Sequence, residues 1–220
     1  MKPSLNNSYI ADIKLIIVGN SYSGKTSIVR RWTLGQFEDI YQATIISDFN
    51  YKIMNINGEL CRVQIWDIAG QDRNSFITNL FCKDSQGVLI VCEINNEQSL
   101  TDTILWKETI LEKMTEEQHD IPFLLVQNKK DLLSEYEYNE SLIKLKRFKD
   151  KNAFYDCGIV SAKNGEGINE VMDKLLDGVV KRMKMIGVNK RMDGCKNDNV
   201  ALKKKIIDNE CNNVKESKCC

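Results

Sequence analysis

The chain has 220 residues, with 31 basic and 31 acidic side chains, one histidine and eight cysteines. The zero formal net charge gives no sign of a nucleic-acid partner, and no run of ~20 apolar residues is present to span a bilayer. The length suits one domain of ordinary size plus an appendage, enough to bury a core without disulfide or metal staples.

Residues 1–9 are polar and are not expected to act as a leader. The β-branched run 13–18 predicts a buried strand. Gly19-Asn20-Ser21-Tyr22-Ser23-Gly24-Lys25-Thr26 follows, fitting G-x-x-x-x-G-K-[ST], and residues 26–34 carry apolar side chains at helical spacing. Strand, glycine-bounded loop and helix form the setting of a phosphate-binding loop. Its backbone N–H groups would wrap a β-phosphate at the positive end of the helix dipole. Lys25 would reach the β- and γ-phosphates, and the Thr26 hydroxyl would ligate Mg²⁺.

Residues 49–56 and 60–67 read as two strands joined by Asn57-Gly58, a hairpin signal. The apolar run 87–94 predicts a buried parallel strand. Residues 99–114 have helical period, with Leu100, Ile104, Leu105, Leu111 and Met114 on or near one face. A second buried strand is expected over 121–127, a charged helix over 135–151, and a weaker last strand over 154–161. Residues 168–185 close as a helix with Ile168, Val171, Met172, Leu175, Leu176 and Val179 on one stripe. This alternation predicts an α/β three-layer architecture with ligand loops at the carboxyl ends of the strands. Over 187–220 the chain turns rich in Asn, Lys and Asp and poor in aromatics, so a flexible tail is expected there, densest in positive charge at Lys203-Lys204-Lys205. Cys61, Cys82 and Cys92 lie in or near apolar runs and read as core thiols of a reducing compartment. His119, in a polar loop, is expected to be solvated, which leaves histidine-based catalysis little to build on.

Two further constellations fall at strand ends. Asp67-Ile68-Ala69-Gly70-Gln71 follows the second hairpin strand. A carboxylate there can hold Mg²⁺ through water, Gly70 leaves its N–H open to a γ-phosphate, and Gln71 can orient an attacking water. Asn128-Lys129-Lys130-Asp131 follows the strand 121–127, and Ser161-Ala162-Lys163 the last one. Guanine presents two donors on one edge, which a single Asp131 carboxylate accepts together. Asn128 can bond N7 and tie this loop to the phosphate loop. The stem of Lys129 can lie on the base. The Ala162 N–H can donate to O6, and Lys163 can cover the ring. A site whose polar groups require such partners rejects adenine strongly.

In this order the motifs resemble those of a Ras-superfamily small GTPase. Trp66-Asp67-Ile68-Ala69-Gly70-Gln71-Asp72-Arg73 is similar to the Rab family's WDTAGQER, and the terminal Cys219-Cys220 resembles its double-cysteine ending. The match covers 13–185. The resemblance implies a P-loop GTPase G domain over 10–186, with a six-stranded, mostly parallel sheet, one antiparallel edge strand and helices on both faces. It implies a hypervariable tail over 187–220 with Cys219 and Cys220 prenylated.

It places Ser21, Tyr22, Ser23, Gly24, Lys25, Thr26, Ser27, Phe37, Tyr41, Thr44, Gly70, Asn128, Lys129, Asp131, Ser161, Ala162 and Lys163 around GTP or GDP. Phe37 would pack edge-on to guanine. Thr26, Thr44 and Asp67 would hold Mg²⁺. Gln71, Lys25 and Thr44 would serve hydrolysis, and Phe49, Trp66 and Phe81 would form the aromatic triad read by effectors. The function implied is a GTP/GDP switch in vesicle traffic with slow intrinsic hydrolysis. It would be a monomer cycling between cytosol and the cytoplasmic face of intracellular membranes. Its partners would be an exchange factor, a GTPase-activating protein, an escort or dissociation-inhibitor carrier and effectors, with no nucleic acid.

The departures fall on the switches and the phosphate loop. Ile46-Ser47 stands for Gly-Val, Asn74 for an aromatic, Asp72 for Glu, Tyr22 for Gly or Ser, Ser23 for Val, and Cys92-Glu93 for an aromatic-Asp pair. They leave open a GTP-binding membrane scaffold that hydrolyses poorly and acts by occupancy. A P-loop kinase would need an acceptor site and lid that are not found.

Overall fold

The computed structural model describes residues 11–40, 44, 47–71 and 80–186. By its contacts the chain divides into Met1–Val180, which contains the sheet and the cavity described below, and Lys181–Cys220. In the second unit the described part is helical to Met185, and the Ile186 N–H donates to the Arg182 carbonyl at 3.0 Å.

Six strands form one sheet: β1 Ala11–Val18, β2 Ser47–Ile56, β3 Glu59–Ile68, β4 Gly87–Glu93, β5 Phe123–Asn128 and β6 Asp156–Ile159. The spatial order is β2-β3-β1-β4-β5-β6, with β2 antiparallel to β3 and every other pairing parallel. The hairpin turns through Asn57 at φ 54° and Gly58 at φ 90°, the two left-handed residues a type I′ connection requires. Four helices are described: α1 Lys25–Leu34, α2 Glu97–Glu112, α3 Glu135–Lys151 and α4 Ile168–Met185.

The central strands are buried on both faces, so their side chains read as unbroken apolar runs. Ile16 and Val18 of β1 join Ile90, Trp106, Ile110, Leu125 and Leu145 in the core beneath α2 and α3. Leu15 and Ile17 face Ile28, Val29 and Trp32 of α1 and Met172 and Leu175 of α4. Each such aliphatic side chain contributes roughly 1.5–3 kcal/mol on burial. The result is three layers, as expected, and the expected stripe of α4 is buried throughout.

The expected face of α2 holds for Leu100 and Leu111, which pack against the core, and for Met114, buried just past its end, but not for Leu105. The helix's buried line is Ser99, Thr103, Trp106 and Ile110, while Leu105 faces solvent. The two small polar residues go inside because their hydroxyls find partners there. Ser99 Oγ accepts from the Glu93 N–H at 3.1 Å, and Thr103 Oγ1 donates to the Leu100 carbonyl at 2.6 Å. The last strand is shorter than expected, Asp156–Ile159.

Cys61, Cys82 and Cys92 are buried free thiols, joined by Cys157. Burial pushes the Cys82 thiol up to about 11, which keeps it protonated and inert at neutral pH. His119 is exposed, with Nε2 3.0 Å from the Leu111 carbonyl. Among the described residues no helix is long and apolar enough to cross a membrane.

Candidate functional site

The loops at the carboxyl ends of β1, β3, β5 and β6 enclose a cavity of about 680 Å³. Ser21, Tyr22, Gly24, Lys25, Thr26, Ser27, Phe37, Thr44, Gly70, Gln71, Asn128, Lys129, Asp131, Ala162 and Lys163 all line it. Ser23, Asp67 and Ser161 lie just beneath its surface, buried. Tyr41, Cys219 and Cys220 lie outside the described residues. Residues separated by well over a hundred positions thus converge on one space of the size that a nucleotide fills.

At one end, α1 starts at Lys25 with Gly24 as its N-cap, at φ 87°. No side chain caps this terminus, so the first-turn N–H groups and the positive end of the helix dipole are left for an anion. A Cβ at Gly24 would stand 2.2 Å from Asn128 Nδ2, so only glycine fits. Lys25 is buried, with Nζ donating to the carbonyls of Gly19 at 3.0 Å and Asn20 at 3.1 Å. Burial pulls its pKa down, and the nearby Asp67 carboxylate pulls it back up. Tyr22 adopts φ 65°, an unfavourable left-handed conformation for an aromatic residue, and is 63% exposed.

Beside Lys25, three oxygen-bearing side chains meet. Thr26 Oγ1 lies 2.8 Å from Thr44 Oγ1 and donates to Asp67 Oδ2, while Asp67 Oδ1 is buried without a hydrogen-bond partner. Burial raises the Asp67 carboxyl to about 6, although the Thr26 hydrogen bond and Lys25 both act to lower it. Two hydroxyls and a carboxylate with an unpartnered buried oxygen fit a small hard cation that retains water and shares substrate phosphates. Among the described residues no group of three or more His, Cys, Asp or Glu gathers to offer an alternative metal site. Gly70 crosses directly over the phosphate loop: a Cβ there would lie 2.3 Å from the Ser21 nitrogen. Gln71, next to it, is exposed at the cavity wall.

At the other end, Asn128 bridges two loops. Its Nδ2 donates to the Ser23 carbonyl at 2.9 Å, and its Oδ1 accepts the Ala162 N–H at 3.1 Å. Ser161 Oγ donates to Asp131 Oδ1 at 2.5 Å and fixes that carboxylate at the rim. Lys129 sits at φ 73° with Nζ 2.8 Å from Glu93 Oε1, which sets the stem of Lys129 along the cavity wall.

Residues 14–181 match the profile of the Ras family. Ras-related protein Rab-7L1 of Rattus norvegicus is 32% identical over 166 residues, covering 74% of this chain and 80% of that protein. Ras-related protein Rab-32C of Dictyostelium discoideum is 33% identical over 165 residues, covering 74% and 71%. Ras-related protein SEC4 of Saccharomyces cerevisiae is 28% identical over 223 residues, covering 97% and 93%. The chain belongs to the Ras family, in its Rab branch. As a small GTPase it binds guanine nucleotide, hydrolyses GTP, and works with regulators and effectors.

Within this GTPase, two features escaped the sequence reading. Asn20, a variable position of the phosphate-loop pattern, anchors the loop to α2: its Nδ2 donates to Asp102 Oδ2 at 2.6 Å, and Trp106 Nε1 donates to its Oδ1 at 2.9 Å. Glu93, noted only as a departure, is the partner of Lys129. Neither pairing leaves a mark in local spacing. The three rings Phe49, Trp66 and Phe81 form a continuous row with centroids 4.7 and 5.1 Å apart, and only Phe49 is exposed.

Proposed function

We propose that this Rab-branch GTPase is a GTP/GDP switch in intracellular vesicle traffic, held on the cytoplasmic face of endomembranes by prenyl groups on Cys219 and Cys220. What carries the nucleotide half of the proposal is the convergence of the base loops, the phosphate loop, Thr44 and Gly70 on one cavity. Asp131 would accept both donors of guanine, and the Ala162 N–H, here donated to Asn128 Oδ1, would turn to the base O6. Phe37 and the stem of Lys129 would flank the ring. Lys25 would hold β- and γ-phosphate oxygens, with Ser21, Tyr22, Ser23, Gly24 and Ser27 contributing the surrounding loop and helix start. Thr26, Thr44 and Asp67 would hold Mg²⁺, which when bound neutralises charge on the phosphate oxygens. Gln71 would orient the attacking water. With GTP, Thr44 and the Gly70 N–H are held at the γ-phosphate; after hydrolysis they are released, and partners read the difference. Hydrolysis by these groups alone is slow, and an activating protein adds up to ~10⁵-fold.

The membrane half rests on the terminal cysteine pair. One modest acyl or prenyl chain binds only marginally and two bind stably, and lysines of the tail would add attraction to anionic lipid. A carrier must then shield both chains for the protein to leave the bilayer. Replacing Cys219→Ser and Cys220→Ser together should leave GTP binding intact and shift the full chain from the membrane pellet to cytosol; pelleting at the wild-type level refutes the anchor. An exchange factor and effectors contacting the row of Phe49, Trp66 and Phe81 at its exposed Phe49 end complete the cycle.

Two observations support a second reading, a scaffold acting by nucleotide occupancy. Tyr22 in left-handed conformation and the unpartnered buried Ser23 Oγ both sit in the phosphate loop. Single-turnover GTP hydrolysis separates the two: turnover that an activating protein accelerates supports the switch, and none supports the scaffold.

A further inference from the structure

We infer that Arg31 is a positioning residue for the guanine pocket, bracing from behind the two walls that would touch the base. This rests on the guanine-site reading above. Arg31 lies in the last turn of α1 and does not line the cavity. Its guanidinium makes a fork of bonds to segments that do. Nε donates to the Ala162 carbonyl at 2.9 Å and Nη2 to the Lys163 carbonyl at 2.5 Å. Nη1 donates to the Gly35 carbonyl at 2.7 Å, and Cζ stands 5.9 Å from the centre of the Phe37 ring.

These contacts have a common consequence. The Ala162 N–H is the group assigned to the base O6, and it is held on its inner side by Asn128 Oδ1 at 3.1 Å. Arg31 holds the next two carbonyls of the same loop on the outer side. Before a base enters, the loop is clamped between one side chain from β5 and one from α1, and once the N–H turns to O6 the Arg31 bonds are the ones left to hold it. The same guanidinium fixes the turn at Gly35, whose N–H donates back to the Arg31 carbonyl at 3.1 Å, and so sets where Phe37 emerges. Only a planar fork with donors on three nitrogens serves three carbonyls and one ring at once; a lysine ammonium on its flexible stem does not. Arg31 thus couples the O6-reading loop to the start of the segment that leads to Thr44. A partner that draws the 35–40 segment outward would loosen the base loop in the same movement.

The test compares wild type, Arg31→Gln, Arg31→Lys and Asp131→Asn as full-length chains. Three probes are used: GDP; 6-thioguanosine diphosphate, which keeps both donors of guanine and replaces the 6-oxygen by the weaker acceptor sulfur; and inosine diphosphate, which lacks the 2-amino group. Release of a fluorescent GDP analogue and the melting temperature are measured alongside. Both Arg31 variants should release GDP about tenfold faster, a change of ~1.4 kcal/mol. They should lose preference for GDP over the 6-thioguanosine nucleotide yet keep preference for GDP over inosine diphosphate, which Asp131 reads. Arg31→Lys should not rescue, and because it keeps charge and stem it also carries the comparison if Arg31→Gln fails to fold. Wild-type release and 6-oxygen preference in both Arg31 variants, or a parallel fall of both preferences with the melting temperature, overturns the inference alone. If Asp131→Asn leaves the preference over inosine diphosphate unchanged, the guanine-site reading falls and this inference with it.

Discussion

The two ends of the cavity are built on different principles. At the base end the polar groups already have partners: Asn128 binds Ser23 and Ala162, Ser161 holds Asp131, and Glu93 holds Lys129. At the phosphate end, groups sit in costly environments. Asp67 Oδ1 and Ser23 Oγ are buried without partners, the Asp67 carboxyl is driven up to about 6 by burial, and Tyr22 holds a left-handed backbone. Apart from the Ala162 N–H, which would exchange Asn128 Oδ1 for the base, the satisfied network keeps its shape before any ligand arrives, so less ordering remains to be done on binding. An unsatisfied one gains most when a cation or an anion supplies the missing partner. The difference suits a switch: base recognition is shared by both nucleotide states, whereas the phosphate end must respond to one phosphate.

That contrast can be broken most severely at the base. Asp131→Asn replaces an acceptor pair by one acceptor and one donor, and GTP affinity should fall by about 10³-fold or more, with xanthine nucleotides gaining. Equal GTP affinity in mutant and wild type, measured by equilibrium titration, would remove Asp131 from the base end.

Gln71→Leu tests the opposite end. It keeps bulk and removes water orientation, and a misplaced reactant costs of order 10²-fold in rate. Stimulated single-turnover hydrolysis should slow by that amount while nucleotide affinity stays nearly constant. Unchanged turnover with the activating protein would show that Gln71 has another task.

Asp67→Asn sharpens the comparison through stability. It removes a buried charge that lacks a full set of partners, so in chelator the variant should melt a few degrees higher than wild type, at about 2–4 °C per kcal/mol for a domain of this size. Added Mg²⁺ with GDP should raise the wild-type melting temperature and leave the variant's largely unmoved. An equal Mg²⁺ response in both would detach Asp67 from the cation.

The smallest effect is expected at Tyr22. A left-handed non-glycine residue costs roughly 1–3 kcal/mol when the surroundings enforce it, and the loop must hold that conformation while it wraps the phosphate. Tyr22→Gly should slow GDP release by up to about tenfold. Equal dissociation rates of a fluorescent GDP analogue would show that the backbone at this position stores no strain that nucleotide release relieves.

Much of this molecule could be read from local pattern. The apolar runs of β1, β4 and β5, the Asn57-Gly58 turn and the 3.6-residue stripe of α4 are periodicities inside one segment, and chain stereochemistry alone translates them. The glycine-bounded phosphate loop and the chemistry of Asp131 follow from residue types a few positions apart. The number of strands and the antiparallel edge came only through resemblance, and their order only from the structure, because strand neighbours are chosen by how layers pack and not by any one strand. The buried face of α2 was read only in part, for a related reason. Leu100, Leu111 and Met114 do pack on the core, but Leu105 faces solvent, while Ser99 is held inside by the Glu93 N–H and Thr103 is buried with its hydroxyl satisfied by the Leu100 carbonyl of its own helix. Asn20 with Trp106, Glu93 with Lys129, and Arg31 with Ala162 are joined across 86, 36 and 131 positions. Each is a meeting of complementary donors and acceptors that exist in many copies along the chain. Which donor finds which acceptor is decided only once the strands are ordered and the loops are brought to the same end of the sheet.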